Sequence, residues 1–207
     1  MENETARVEA FSDGVFAIAI TLLILEIVVK APHESLSAQR LSEELRHLWP
    51  SYLAYFASFA TIGVMWLNHH RLFTLIVKND DGLSALNLLL LLGVTWVPFP
   101  TAVLATQLLA PGQRVAAVVY ATSFFAIAIV FNLMWRYAVR SKLVREHLDV
   151  AAIARQYAAG PILYAILIGV GALNAVACLV LSAAIASYFL LPPRLWRREA
   201  QQPRRMG

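Results

Sequence analysis

Residues 7–29 read RVEAFSDGVFAIAITLLILEIVV, and this stretch decides the kind of protein. It opens on a tight polar cluster, Arg7, Ser12 and Asp13, runs without charge from residue 14 to residue 25, and closes on Glu26. About 20 predominantly apolar residues span a bilayer as a helix, so residues 11–29 are expected to cross a membrane once. A helix turns by about 100° per residue. With Ile18 at zero, Leu25 falls at about −20°, Leu22 at about 40° and Thr21 at about −60°, which makes one stripe of four. Asp13 lies roughly 140° from the centre of that stripe, facing other protein or the helix entrance.

The rest of the chain agrees with a polytopic, all-α membrane protein. Of 207 residues, 59% are hydrophobic and 14% charged, where a soluble domain has about 45–50% apolar and about 25% charged residues. Mean hydropathy is +0.63. Residues 1–9 hold three acidic side chains against one arginine, the wrong balance for a secretory signal peptide. The single Cys178 excludes an internal disulfide and a cysteine-based metal site. A net charge of +4 is read as topology, and no nucleic-acid partner is expected.

Outward from the first crossing, residues 30–50 are polar, and Leu41, Leu45 and Leu48 repeat at helical spacing, which predicts a short surface helix. A second crossing is expected at 51–73, ending in Trp66-Leu67-Asn68-His69-His70-Arg71. KNDDG at 78–82 reads as a tight turn centred on Asp-Gly. A third crossing at 83–109 contains Pro98 and Pro100, so a kink or break is expected there. A fourth at 115–137 runs into a basic stretch, 136–156, expected to be helical. Residues 158–191 are charge-free; a single helix of that length is about 51 Å long, against a hydrocarbon core of about 30 Å. Gly169, Gly171 and Asn174 near its middle predict a hairpin of two short crossings, 158–172 and 173–191.

Charge placement tests this six-crossing parse of one domain, residues 1–207. With a cytoplasmic N-terminus, 13 of the 17 lysines and arginines fall inside, including five in the tail after residue 191; Lys30, Arg40, Arg46 and Arg114 fall outside. One crossing over 158–191 moves the tail outside and reverses the bias. The positive-inside rule therefore favours six helices with both termini cytoplasmic.

Arg7-x-x-x-Phe11-Ser12-Asp13 followed by GVFAIAITLL resembles the first-helix signature of the transmembrane protein 175 family, the lysosomal potassium channel and its bacterial relatives. Trp66-x-x-His69-His70 is similar to the family's pattern as well. The resemblance implies a homotetramer in a bacterial inner membrane, with four first helices lining a pore. It carries the family's bulky aliphatic constriction onto Ile18, Leu22 and Leu25, and its threonine layer onto Thr21. It further implies potassium as the principal permeant ion, modest discrimination against sodium, and no cofactor. The TVGYG carbonyl filter of ordinary potassium channels is absent, so selectivity is expected from constriction size, the Thr21 hydroxyls and the surrounding field.

Each constellation also has a plainer reading. The stripe is equally an apolar face packed on helices or lipid, and the Thr21 hydroxyl is able to bond back to the Ala17 carbonyl. Arg7, Ser12 and Asp13 are either an interfacial anchor or a buried network whose partners are His69, His70 and Arg71. Adjacent helical histidines point about 100° apart, which disfavours a metal site; packed histidines are preferred over a pH sensor. Glu26, about 80° from Ile18, reads as an interfacial carboxylate that enriches cations at the outer mouth. No nucleophile–base set or phosphate-cradling loop marks an enzyme. Against the channel stand a proton-coupled carrier or proton leak using Asp13 and the histidines, and a non-conducting membrane scaffold. Lipid and permeating potassium are the remaining partners expected.

Overall fold

The computed structural model describes residues 2–32, 35–146 and 148–190; the basic tail and its arginines lie outside them. The described chain is helical: α1 (Glu2–Leu22), α2 (Leu25–Lys30), α3 (Ala38–His47), α4 (Trp49–Leu75), α5 (Asp81–Trp96), α6 (Pro98–Gln107), α7 (Gln113–Arg140), α8 (Val150–Leu173) and α9 (Ala175–Leu190). The β-pairing among the described residues is one isolated bridge, Ile76 with Val144. Four stretches, Glu4–Lys30, Asp81–Gln107, Gln113–Arg140 and Val150–Leu173, are long and apolar enough to cross a membrane. At 27 residues α4 matches them in length, but it buries Ser51, Ser58, Thr61 and His69. The 16 residues of α9 reach about 24 Å.

Side-chain pairs give the direction of each helix. Asp13 meets Trp66 and Glu9 meets His70, so α1 and α4 run antiparallel. His69 and Asn87, six residues to either side of the α4–α5 link, meet as well as Ser12 and Asn87, so α5 returns along α4 and runs with α1. Phe124 stacks on Tyr164 and Phe131 on Tyr157, so α8 returns along α7. Thr61 meets Ser182 and Arg71 reaches the Phe189 and Leu190 carbonyls, so α9 runs with α4. The start of α1 and the end of α9 thus lie at the same end of the bundle.

Local chemistry accounts for most boundaries. The surface helix in the 30–50 segment forms as α3, capped by Ser37, whose side chain accepts from the Arg40 amide. Pro98 and Pro100 break the third segment at Val97, and both sit in the first turn of α6, where a missing N–H costs nothing. Asn174 ends α8 in an extended conformation, and its Oδ1 accepts from the Ala177 amide to start α9.

Four expectations need correction. The first segment is not one helix over 11–29: it begins at Glu2, loosens at Leu23 and Ile24, and resumes as α2. No proline or glycine marks that break; the β-branched run Ile24, Ile27, Val28 and Val29 lowers helix propensity around it. Asp-Gly is not the centre of a turn. Asp80 is the N-cap of α5, its Oδ1 accepting from the Leu83 amide at 2.8 Å and its Oδ2 from the Tyr137 hydroxyl at 3.0 Å. Gly82 lies inside α5, where a Cβ would collide with the Tyr137 ring. The stretch 136–156 is not continuous helix either. Leu143 N–H bonds to the Ala138 carbonyl at 2.9 Å and Lys142 N–H to that of Val139 at 3.1 Å, a Schellman ending of α7. Lys142 adopts φ 56 there, a left-handed position that usually holds glycine and costs other residues about 1–2 kcal/mol. Finally, the fifth segment is not short, because α8, capped by Asp149, starts at Val150, eight residues before the expected start at 158.

Small residues set the closest approach in the bundle. A Cβ on Gly171 would lie 3.1 Å from the Ala117 carbonyl carbon and oxygen, so α8 meets α7 nearly backbone to backbone. Gly171→Leu is expected to push the two apart and cost about 1–3 kcal/mol, read as a lower thermal midpoint in detergent. Gly169→Leu is the matched control, since a Cβ there meets nothing within 4 Å. Hydroxyls supply the interior polar contacts, which nothing in the sequence pattern singles out. Ser58 bonds Thr101 at 2.8 Å and Tyr120 at 3.2 Å, and Ser182 bonds Tyr120 at 3.3 Å and Thr61 at 3.2 Å. These bonds tie α4, α6, α7 and α9 together where no water competes.

Candidate functional site on the first helix

The two sides of α1 differ sharply. Ser12, Phe16, Ala19 and Leu23 are buried against the rest of the chain. Phe11, Ile18, Leu22 and Leu25 are 58%, 58%, 41% and 50% exposed, and Thr21 is exposed with them. Every member of the expected stripe therefore points away from the chain's own core, across the break between α1 and α2. The Thr21 hydroxyl donates to the carbonyl of Ile18 at 2.8 Å, not to that of Ala17. Its proton is committed to the helix, and the oxygen presents lone pairs outward.

Between α1 and α4 lies a polar collar built from two matching helical rows, with Ser12 and His69 buried and Trp66 and His70 exposed. Glu9, Ser12, Asp13 and Phe16 recur at helical spacing on α1, and Trp66, His69 and His70 do so on α4. Asp13 Oδ1 accepts from the Trp66 indole N–H at 2.8 Å. His70 Nδ1 lies 2.7 Å from Glu9 Oε1, and its ring stacks on Trp66. His69 is fully buried, stacked on Phe73 at 4.5 Å and against Phe16 at 5.4 Å.

One chain of hydrogen bonds joins α4, α5 and α1. Asn87 is 1% exposed; its Nδ2 donates to Ser12 Oγ at 2.9 Å, and Ser12 Oγ donates to the Val8 carbonyl at 2.8 Å. The Asn87 Oδ1 is then the acceptor for His69 Nε2–H at 2.9 Å, and His69 Nδ1 is buried with no hydrogen-bond partner among the described residues.

The expected partners of Asp13 are thus redistributed. Arg7 is exposed and forms no ion pair among the described residues. Arg71 turns to Asn68 and the end of α9. The histidines diverge to Asn87 and Glu9 rather than converging on one point. Glu26 faces inward and pairs with Lys30, which also donates to Ser51 Oγ at 3.3 Å. Its charge is balanced within the chain, which weakens its reading as a cation attractor at a mouth. Asn87 was missed because a single asparagine in LSALNLLLLL carries no periodic signal; its position in an otherwise apolar segment was the clue.

A bundle of apolar helices, with a polar collar between the first and fourth helices and an aliphatic face left uncovered on the first helix, is an integral membrane protein. Residues 7–98 match the family model described as "Endosomal/lysosomal potassium channel TMEM175". A potassium channel of Chamaesiphon minutus is 48% identical over 194 residues, 92% of this chain and 95% of the relative. The crystal structure of a lysosomal potassium-selective channel TMEM175 homolog from the same organism superposes with a TM-score of 0.81, covering 91% of this chain and 97% of that one. The human endosomal/lysosomal proton channel TMEM175 is 38% identical over 142 residues, which is 64% of this chain and 28% of that protein. The chain belongs to the TMEM175 family.

Proposed function

We propose that this chain is one subunit of a weakly selective potassium channel, a homotetramer whose pore is formed by four copies of α1. The observation that carries the reading is the uncovered aliphatic stripe of Ile18, Leu22 and Leu25, on a chain nearly half identical to a potassium channel over almost its whole length. One helix cannot enclose a pore, so the mechanism requires oligomerisation. Aliphatic rings at the 18, 22 and 25 levels narrow the path and resist wetting, because an ion there loses hydration without compensation. Thr21 sits among them as the one hydroxyl, its lone pairs available to a cation. The collar of Ser12, Asp13, His69, His70 and Asn87 holds the helix in register and stays out of the ion path.

In this reading α1–α2, α4, α5–α6, α7, α8 and α9 make six crossings of a single domain in a bacterial inner membrane. Their alternating directions and the exposed Lys78, Arg136, Arg140, Lys142, Arg145 and Arg155 at one end support cytoplasmic termini. The test is purified protein in potassium-loaded vesicles, with flux followed under potassium, sodium and large-cation gradients. Absence of cation flux from an intact oligomer sinks the channel and leaves the scaffold. The name of the human relative favours a second reading, proton conduction, which a pH-sensitive dye in the same vesicles separates from potassium flux.

Thr21→Val keeps the side-chain shape and deletes the oxygen. We expect a reduced potassium-over-sodium permeability ratio with the oligomer intact. An unchanged ratio assigns selectivity to the aliphatic rings alone.

A further inference from the structure

The end of α4 and the end of α7 are joined by a small main-chain clasp rich in cations. Val77 N–H bonds to the Leu143 carbonyl at 2.8 Å and Arg145 N–H to that of Leu75 at 2.9 Å, on either side of the Ile76–Val144 bridge. Lys78 N–H also reaches the Leu143 carbonyl at 3.3 Å, which brings Lys78 beside the turn that holds Lys142. Both are exposed, as are Arg145 and Arg140, and none of the four forms an ion pair among the described residues.

No carboxylate among the described residues pairs with them directly. Asp80 is occupied by the α5 cap and Tyr137, and Asp149 by the α8 cap. Asp81 and Glu146 remain, both exposed. Like charges gathered at one small clasp repel one another. Lys142 moreover holds a left-handed position that glycine would take with less strain. A lysine kept where both backbone and electrostatics disfavour it points to something that its ammonium holds.

The clasp lies at the bundle end that carries the start of α1 and the end of α9. It is built partly on α7, whose main neighbours are α5, α6, α8 and α9 rather than α1. Its four cations are exposed where α4 and α7 end, and the ends of membrane-spanning helices fall at the level of lipid headgroups.

We propose that Lys78, Arg140, Lys142 and Arg145 form a headgroup site for an anionic phospholipid of the adjacent leaflet, with the lipid phosphate seated at the clasp. The inference needs only that the protein is embedded in a membrane and does not rest on ion conduction. Each basic residue at such a surface strengthens attraction to anionic lipid by about five-fold.

The test titrates the detergent-solubilised full chain with short-chain phosphatidylglycerol, phosphatidylcholine or inorganic phosphate, following the thermal midpoint. Phosphatidylglycerol, the anionic lipid, is expected to raise the midpoint most. Lys142→Gly is expected to leave the lipid-free midpoint unchanged or higher, while raising the half-saturating concentration of phosphatidylglycerol by about five-fold. Lys78→Gln and Arg145→Gln, which leave the main-chain bonds untouched, are expected to do the same and decide the matter should Lys142→Gly itself lower stability. Equal protection by phosphatidylcholine or by free phosphate, or an unshifted titration in Lys78→Gln and Arg145→Gln, overturns the site.

Discussion

Ile18→Ala is expected to raise cation flux through reconstituted protein by about ten-fold or more. In the proposed tetramer the substitution withdraws four isoleucine side chains at one level of the path and leaves a wider, more easily wetted ring. A barrier lowered by about 1.4 kcal/mol is enough for a ten-fold rise. Because Ile18 is 58% exposed and outside the buried core, the change is expected to cost little folding stability. Ile162→Ala is the control: Ile162 is 62% exposed, but on α8, remote from the first helix. Equal flux changes at both positions, or none at Ile18, would remove the stripe from the conduction path. The measurement is potassium efflux per oligomer in vesicles of fixed lipid composition.

The second large effect is expected at Asn87. Replacing it with leucine keeps the volume and leaves His69 Nε2–H buried with no acceptor, while Ser12 loses its donor. An orphaned buried donor costs about 1–3 kcal/mol. Interhelical bonds in membranes average only about 0.6 kcal/mol, because the separated helices find other partners. Asn87 carries two such bonds between three helices, so an expected loss of about 1–3 kcal/mol lies within both bounds. It would appear as a lower thermal midpoint and a smaller yield of assembled oligomer. The double variant Asn87→Leu with His69→Phe is expected to recover much of that loss, since removing both partners of a buried bond is far less costly than removing one. No recovery would mean that Asn87 acts by packing alone.

The collar illustrates where local reading ends. Ser12, Asp13, His69 and His70 are conspicuous in the sequence because polar side chains near hydrocarbon need partners. Which partner each takes depends on the register of helices far apart in the chain. Asp13 and Trp66 are 53 residues apart, Glu9 and His70 61, and Ser12 and Asn87 75. A Coulombic expectation pairs Asp13 with Arg7 or Arg71. The folded chain instead gives Asp13 an indole N–H and leaves Arg7 exposed, because the side of α1 that bears Asp13 packs on α4.

Local chemistry alone determined the membrane class, the surface helix α3, the proline break at Val97 and the turn at Asn174. Apolar length, periodicity, prolines and capping side chains act within a few residues and need no knowledge of neighbours. The same holds for the 18, 21, 22 and 25 stripe, which follows from the turn angle of a helix. Tertiary structure alone decided that this stripe faces outward, that Glu26 is neutralised by Lys30, that Asn87 completes the collar, and that α7 stops at a strained Lys142 clasped to the end of α4. Each of those outcomes is set by the rotation and register of one packed helix against another, and the physical cause is the burial of polar groups that only a distant segment can satisfy.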